Sequence, residues 1–291
     1  MTDSGKYRNG VCTFAVLAMF VYMLVRSSET TAAAEKAAVF CASVIVPSLF
    51  VNMALAAYLF PRIANAMHGK HTAVTAFVCG ILCGFPVGAD IAVRLREGGA
   101  DGNYCDYINS FSNNASVSFV LSFAGIGALK SVRAGIVLVL LEIVSAGICA
   151  FAMRMLLSPE CKVPIPMQRE LSFTEALRKA ISGMASVCAS IIVFSCLSSA
   201  ATLVFNEGSA MYALLHGILE FSGGIADASV LPERMAFVVT AFFVGWSGLC
   251  VALQVAAVGR GRANMSYYII SKALQGVLMA GMAAVTARFV P

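Results

Sequence analysis

Long runs of apolar residues, separated by short polar stretches, dominate this chain. They fall at 10–25, 38–60, 73–96, 104–129, 134–157, 180–205, 235–258 and 264–290, with a shorter apolar piece at 210–226. A helix rises about 1.5 Å per residue, so roughly 20 apolar residues cross a hydrocarbon layer of about 30 Å. Each long run therefore predicts a membrane helix. The alternation and regular turn signals of a β-barrel are missing from the sequence. The expected fold is all-α, a polytopic membrane helix bundle.

Composition supports this. Of 291 residues, 59% are hydrophobic and 12% charged, against roughly 25% charged in soluble domains. That leaves too little polar surface to cover a water-soluble globule. The net charge of +5 calls for no nucleic-acid partner, because Lys and Arg beside membrane helices set topology. The first run follows Lys6 and Arg8 and ends in Arg26-Ser-Ser-Glu-Thr-Thr-Ala-Ala-Ala. It reads as an uncleaved signal-anchor, with cleavage as the alternative. Most of the ten cysteines lie in apolar runs and behave there as small hydrophobes. Cys79 and Cys83 share a helix face, but packing is favoured over a soft metal, and no metal site or cofactor is expected.

Two stretches repeat. Cys41-Ala-Ser-Val-Ile-Val-Pro-Ser-Leu-Phe matches Cys188-Ala-Ser-Ile-Ile-Val-Phe-Ser-Cys-Leu. A glycine-aromatic break, Gly84-Phe85-Pro86-Val87-Gly88-Ala89, is paired with Gly245-Trp246-Ser247-Gly248-Leu249-Cys250, and 206–232 reads as an insertion in the second half. The order divides the chain into 1–35 (anchor and loop), 36–157 (first repeat), 158–179 (basic connecting loop) and 180–291 (second repeat). The positive-inside count fits best if 73–96 dips in and returns as a hairpin. The basic loop then lies inside, the acidic 206–233 region outside, and 235–258 enters from the side opposite to the first break. Arg260 and Arg262 fall outside on this reading. The pattern predicts an inverted repeat with broken or re-entrant helices, as in transporters whose broken helices flank the substrate.

The breaks carry the candidate chemistry. Pro86 cannot donate an amide hydrogen and suits the first position of a new helix. Val87 and Gly88 would then offer free amides at a positive helix end; a plain proline kink is the alternative. Asn113 and Asn114, within Asn109-Ser110-Phe111-Ser112-Asn113-Asn114-Ala115-Ser116, can coordinate a carboxylate, an ion or a helix carbonyl; an interfacial helix start is equally open. Phe85 and Trp246 offer aromatic planes, Trp246 also being suited to an interfacial anchor. Ser247, Gly248 and Gln254 complete the substrate-binding candidates. Intramembrane ionisable groups are functional candidates by default: Glu142, Lys272 and Asp90 are candidates for ion coupling. Glu220 precedes what reads as a further short re-entrant piece. His68, His71 and His216 read as loop or interface residues. No nucleophile elbow, phosphate loop or HExxH motif occurs, so no enzyme activity is expected.

With these motifs in order, the chain resembles YlbJ-type sporulation integral membrane proteins, which carry the nucleoside-recognition or gate domain. The resemblance rests on Gly84-Phe-Pro-Val-Gly-Ala, Arg96-Glu-Gly-Gly, Phe111-Ser-Asn-Asn, Gly245-Trp-Ser-Gly-Leu-Cys-Val-Ala-Leu-Gln, Pro47-Ser-Leu-Phe and Leu219-Glu-Phe-Ser-Gly-Gly, across roughly residues 36–285. Asp90 stands where that pattern leads one to expect a lysine, and Ala252 where it often has His. The resemblance implies an architecture similar to concentrative nucleoside transporters and a role in moving dipicolinic acid across the outer forespore membrane. The implied partners are the lipid bilayer and a small anionic substrate, with a homo-oligomer compatible. The alternatives are a cation-coupled nucleoside transporter and a non-transporting membrane scaffold for sporulation.

Overall fold

A computed structural model describes residues 13, 14, 17–66, 71–160, 169–201 and 205–290. Lys6, Arg8 and His68, named above, lie outside the described residues. Helix is the only regular structure among the described residues. Among the described residues, five helices are long and apolar enough to cross a membrane: Ser27–Ala66, Val132–Leu157, Phe173–Ala200, Glu233–Gly259 and Met265–Thr286. The chain has the build of an integral multi-pass membrane protein.

The burial pattern is that of a protein in lipid. Along Val132–Leu157, Ile136, Leu140 and Val144 are exposed while Glu142 and Ser145 are fully buried. Apolar residues spaced about one turn apart face outward, and the polar ones face the protein interior. In water such a face would be a liability; in hydrocarbon it costs nothing.

Two long helices form one side. The first is continuous from Ser27 to Ala66, through a π-helical stretch at Cys41–Ile45. The loop expected after residue 26 is therefore helical, and the division after residue 35 falls inside a helix. Thr-Thr-Ala-Ala-Ala-Glu-Lys-Ala-Ala is rich in the strongest helix former, so local preference continues the helix through a weakly polar stretch. The second, Phe173–Ala201, starts seven residues earlier than predicted. Ser172 and Glu175 make a capping box there: the Ser172 amide donates to Glu175 Oε2 at 2.8 Å, and the Glu175 amide to Ser172 Oγ at 3.2 Å. The two helices touch where the repeated motifs meet, with Cys41 Sγ 4.0 Å from the Cys188 carbonyl oxygen.

The remaining elements include two hairpins and two interrupted segments. Thr72–Cys83 and Val87–Glu97 form the first hairpin around Gly84-Phe85-Pro86. Gly102–Phe111 and the helical 117–128 form the first interrupted segment, parted at Ser112–Ser116. Ala210–Leu219 and Phe221–Ala228 form a second hairpin around Glu220, within the 206–232 stretch. Glu233–Trp246 and Gly248–Gly259 form the second interrupted segment, parted at Ser247.

Ion pairs mark one end of the bundle. Arg62 pairs with Glu170 at 3.6 Å, Asp90 with Arg94 at 3.0 Å and with Lys179, and Arg96 with Asp106 at 2.8 Å. Asp106 also accepts the Asn264 amide at 3.1 Å, and Arg260 lines the same cavity as Asp90 and Lys179. This basic end gathers the close of Ser27–Ala66, the start of Phe173–Ala201, the close of the first hairpin and the close of the second interrupted segment. Arg260 therefore lies with Arg94 and Lys179, not on the far side as the charge count proposed. The count took 235–258 to return to the side it entered from, whereas Glu233–Gly259 is long and apolar enough to cross. At the other, acidic end, Glu29, Glu207 and Asp227 line one cavity, and the Cys196 thiol lies 3.5 Å from the Thr30 carbonyl oxygen.

Candidate functional site

Four chain breaks meet in the middle of the bundle. At Gly84, with φ +78°, an added Cβ would lie 3.1 Å from both Cβ and N of Ser116. At Gly88 it would lie 2.4 Å from Ser112 Oγ. The first hairpin thus rests with its backbone against the break of the first interrupted segment, and only glycine permits that approach. Gly248, with φ +79°, holds the same relation to the second hairpin: its added Cβ would lie 3.0 Å from the Phe221 amide nitrogen and 3.2 Å from the Leu219 carbonyl oxygen. Ser247 beside it is also left-handed, with φ +70°. Sequence pairing matched Gly84–Ala89 with Gly245–Cys250; in space each of these breaks faces a different partner.

Broken helices leave polar backbone groups that must be satisfied inside the protein. Asn113 does this for the first hairpin: its Oδ1 accepts the Ala89 amide at 2.9 Å, and its Nδ2 donates to Asn109 at 2.7 and 2.9 Å. Lys272 Nζ donates to the Asn113 carbonyl at 2.9 Å and to Gln275 Oε1 at 2.7 Å. Gln275 Nε2 donates to Asn114 Oδ1 at 3.0 Å, and Asn114 Nδ2 to the Phe111 carbonyl at 2.9 Å. The Ala115 amide donates to Glu142 Oε1 at 2.7 Å, while Glu142 Oε2 has no hydrogen-bond partner among the described residues. Asn113, Asn114, Glu142, Lys272 and Gln275 are all essentially unexposed. They bind one another and the break, so the structure places them behind the cavity walls, not on them.

The second hairpin is held differently. Glu220 caps its returning helix, accepting from the Ser222 amide at 3.1 Å, the Ser222 hydroxyl at 2.6 Å and the Gly223 amide at 2.6 Å. Trp246 Nε1 donates to the Ile218 carbonyl at 3.0 Å, so the indole ties the interrupted segment to the hairpin tip. His216, expected in a loop or interface, sits on the entering arm, with Nδ1 2.6 Å from Asp227 Oδ2 on the returning arm. His71 immediately precedes Thr72–Cys83.

Two vestibules approach this centre from opposite ends. The one at the basic end, about 340 Å³, is lined by Pro86, Val87, Asp90, Arg94, Lys179 and Arg260, among others. The one at the acidic end, about 610 Å³, is lined by Glu29, Lys36, Glu207, His216, Glu220 and Asp227, among others. Between them is a plug. Phe85 and Phe221 meet edge to face at 5.5 Å, and Phe119 and Phe221 lie 5.3 Å apart. Within the plug a cavity of about 20 Å³, bordered by Phe85, Ser116, Phe119, Phe221 and Gln254, has room for about one water. Gln254 is buried there, and its Oε1 has no hydrogen-bond partner among the described residues. The plug is thin. On Phe173–Ala201, Ser186 lines one vestibule and Ile191 the other, a separation of about 7.5 Å along a helix.

No family model, curated protein or solved structure matches the chain.

Of the residues singled out from sequence, Phe85, Pro86, Val87 and Gln254 border the cavities, Gly88 and Gly248 are contact points between breaks, and Ser247 turns the chain. The Asp90 carboxylate is engaged by Arg94 and Lys179 and does not stand open to a cation. Sequence reasoning missed Gln275, Phe119, Phe221 and Lys179. Lys272 and Gln275, three apart in an apolar helix, carried a usable signal, as did the Ser172-x-x-Glu175 box that places Lys179 on a helix. Phe119 and Phe221 are two of 19 phenylalanines and carried none.

Proposed function

We propose that this chain is a transporter that carries a small organic anion across a membrane by alternating access. One observation carries the reading: two vestibules from opposite ends of a membrane-type bundle stop at the same thin aromatic plug. A scaffold protein has no need of cavities from both ends, nor of four chain breaks in two hairpins and two interrupted segments, which are tolerated at membrane depth where protein or a cavity satisfies their backbone.

The order of elements supports an inverted repeat as the basis of this mechanism. A long helix, a hairpin opening to one end, an interrupted crossing segment and a further long helix occur in 27–157. They recur in the same order in 173–286, with the hairpin opening to the other end. On this reading Gly84-Phe85-Pro86 corresponds to Leu219-Glu220-Phe221, and Ser112–Ser116 to Gly245–Gly248. Rocking one half against the other around the plug would close one vestibule as the other opens.

The charge distribution favours an anion. Arg94, Lys179 and Arg260 outnumber Asp90 and Glu97 around the basic vestibule, and a like-signed cleft concentrates the opposite ion. Basic residues mark the cytoplasmic side, so the anion would load from there. Within that class the sequence resemblance supplies dipicolinate as cargo and the outer forespore membrane as setting. The test is uptake of radiolabelled dipicolinate by proteoliposomes containing the purified chain. Accumulation above that of protein-free vesicles, competed by unlabelled dipicolinate and not by uridine, is expected. Uridine uptake in its place would select a nucleoside carrier, and no solute movement would leave the scaffold reading.

A further inference from the structure

We infer that the vestibule at the basic end contains a binding site for a small carboxylate, in which Asp90 acts as a tethered competitor of the ligand. The site rests on Arg94. Its side chain is only 10% exposed. Its Nε is 3.0 Å from Asp90 Oδ2, yet its buried Nη2 has no hydrogen-bond partner among the described residues. A buried guanidinium N–H without an acceptor costs free energy, and a carboxylate oxygen is the acceptor whose planar geometry suits it best. Arg94 lines a cavity of about 340 Å³, within the range of small-molecule sites.

The surrounding groups agree. Lys179 pairs with the other Asp90 oxygen, Oδ1, from the facing long helix. Ser182 and Ser186, on the same cavity wall, add hydroxyl donors, and Arg260 lines the cavity from the second interrupted segment. Asp90 is therefore one carboxylate shared by two cations, with one guanidinium edge left over. An incoming carboxylate would take that free edge and compete with Asp90 for Arg94 and Lys179. A neutral nucleoside gains little from the arrangement.

This names the loading site of the transporter proposed above and rests on that reading for its role, although binding itself is measurable without transport. The experiment is equilibrium binding of radiolabelled dipicolinate to the purified full-length chain in detergent, in chloride-free buffer, with uridine as the neutral comparison. The native chain should bind dipicolinate and not uridine. Asp90→Asn removes the competitor and should tighten binding by about threefold to tenfold, whereas Arg94→Gln should weaken it by about tenfold or more. Arg94→Lys, which keeps charge but loses the fork, should fall between native and Arg94→Gln. The opposite signs at two paired residues are what a purely structural ion cluster would not give. The inference is overturned if the native chain binds no dipicolinate, if Asp90→Asn weakens binding alongside Arg94→Gln, or if neither change alters it. Binding with the expected pattern but no proteoliposome uptake would defeat the transport reading alone. Uptake with binding indifferent to both substitutions would defeat this site alone.

Discussion

Lys272→Met tests whether the buried polar network is held by charge or only by hydrogen bonds. Methionine keeps most of the lysine stem's volume, so cavity formation contributes little. What is lost is specific: the Asn113 carbonyl and Gln275 Oε1 lose their donor, and the network that also includes Glu142 loses its buried ammonium. Orphaning a buried acceptor costs about 1–3 kcal/mol, and Lys272 Nζ serves two of them. The two costs overlap because one ammonium serves both acceptors, so the expected loss is about 2–4 kcal/mol in total. Glu142→Gln keeps a carbonyl oxygen for the Ala115 amide while removing the carboxylate. If the two charges support one another, the double variant should be less destabilised than the sum of the singles by about 1–3 kcal/mol. The assay is reversible unfolding of the purified protein in mixed micelles, run on native, both singles and the double. Losses that add within about 0.5 kcal/mol would show that the charges are energetically independent and refute the reasoning.

Other predictions follow from the packing. Phe221→Ala removes the ring shared by both aromatic contacts of the plug; it should cost about 3–5 kcal/mol and let a trapped small anion leak from proteoliposomes that the native chain keeps tight. Gly88→Ala would put a methyl 2.6 Å from the Ser112 carbonyl carbon and oxygen, backbone that cannot turn aside, so a loss of at least about 1–3 kcal/mol should appear as reduced thermal stability in detergent. Ser172→Ala removes one half of the capping box at the start of Phe173–Ala201 and should cost about 1 kcal/mol, with binding at the basic vestibule weakened through looser placement of Lys179.

The membrane class and helix content were legible because hydrophobic run length is a direct physical signal. The break at Pro86 was legible too, since proline cannot donate an amide hydrogen. The second hairpin was harder. Glu220 marked the start of a short re-entrant piece, but that its carboxylate caps Ser222 and Gly223 and joins two arms was not legible. The course of 233–259 was hard to read because Ser247 and Gly248 break the helix without a proline, so sequence could not say whether the chain turns back or continues. Asn113 and Asn114 stood out as groups able to coordinate a carboxylate, an ion or a helix carbonyl, but sequence alone could not tell a group that faces a ligand from one that faces Lys272 and Gln275. Long-range partners decide that, and they lie about 160 positions away.

The helices Ser27–Ala66 and Phe173–Ala201 each pass all three compartments without a break. Met53 and Ser186 border the basic vestibule, Leu49 and Val187 the plug, and Phe40 and Ser195 the acidic vestibule. A wall common to both sides cannot by itself switch access from one to the other. Such a switch would fall to the jointed wall opposite, sliding along this pair as along a rail. Tethering the two rails together should then leave the cycle running, while tethering a hairpin to either rail should arrest it.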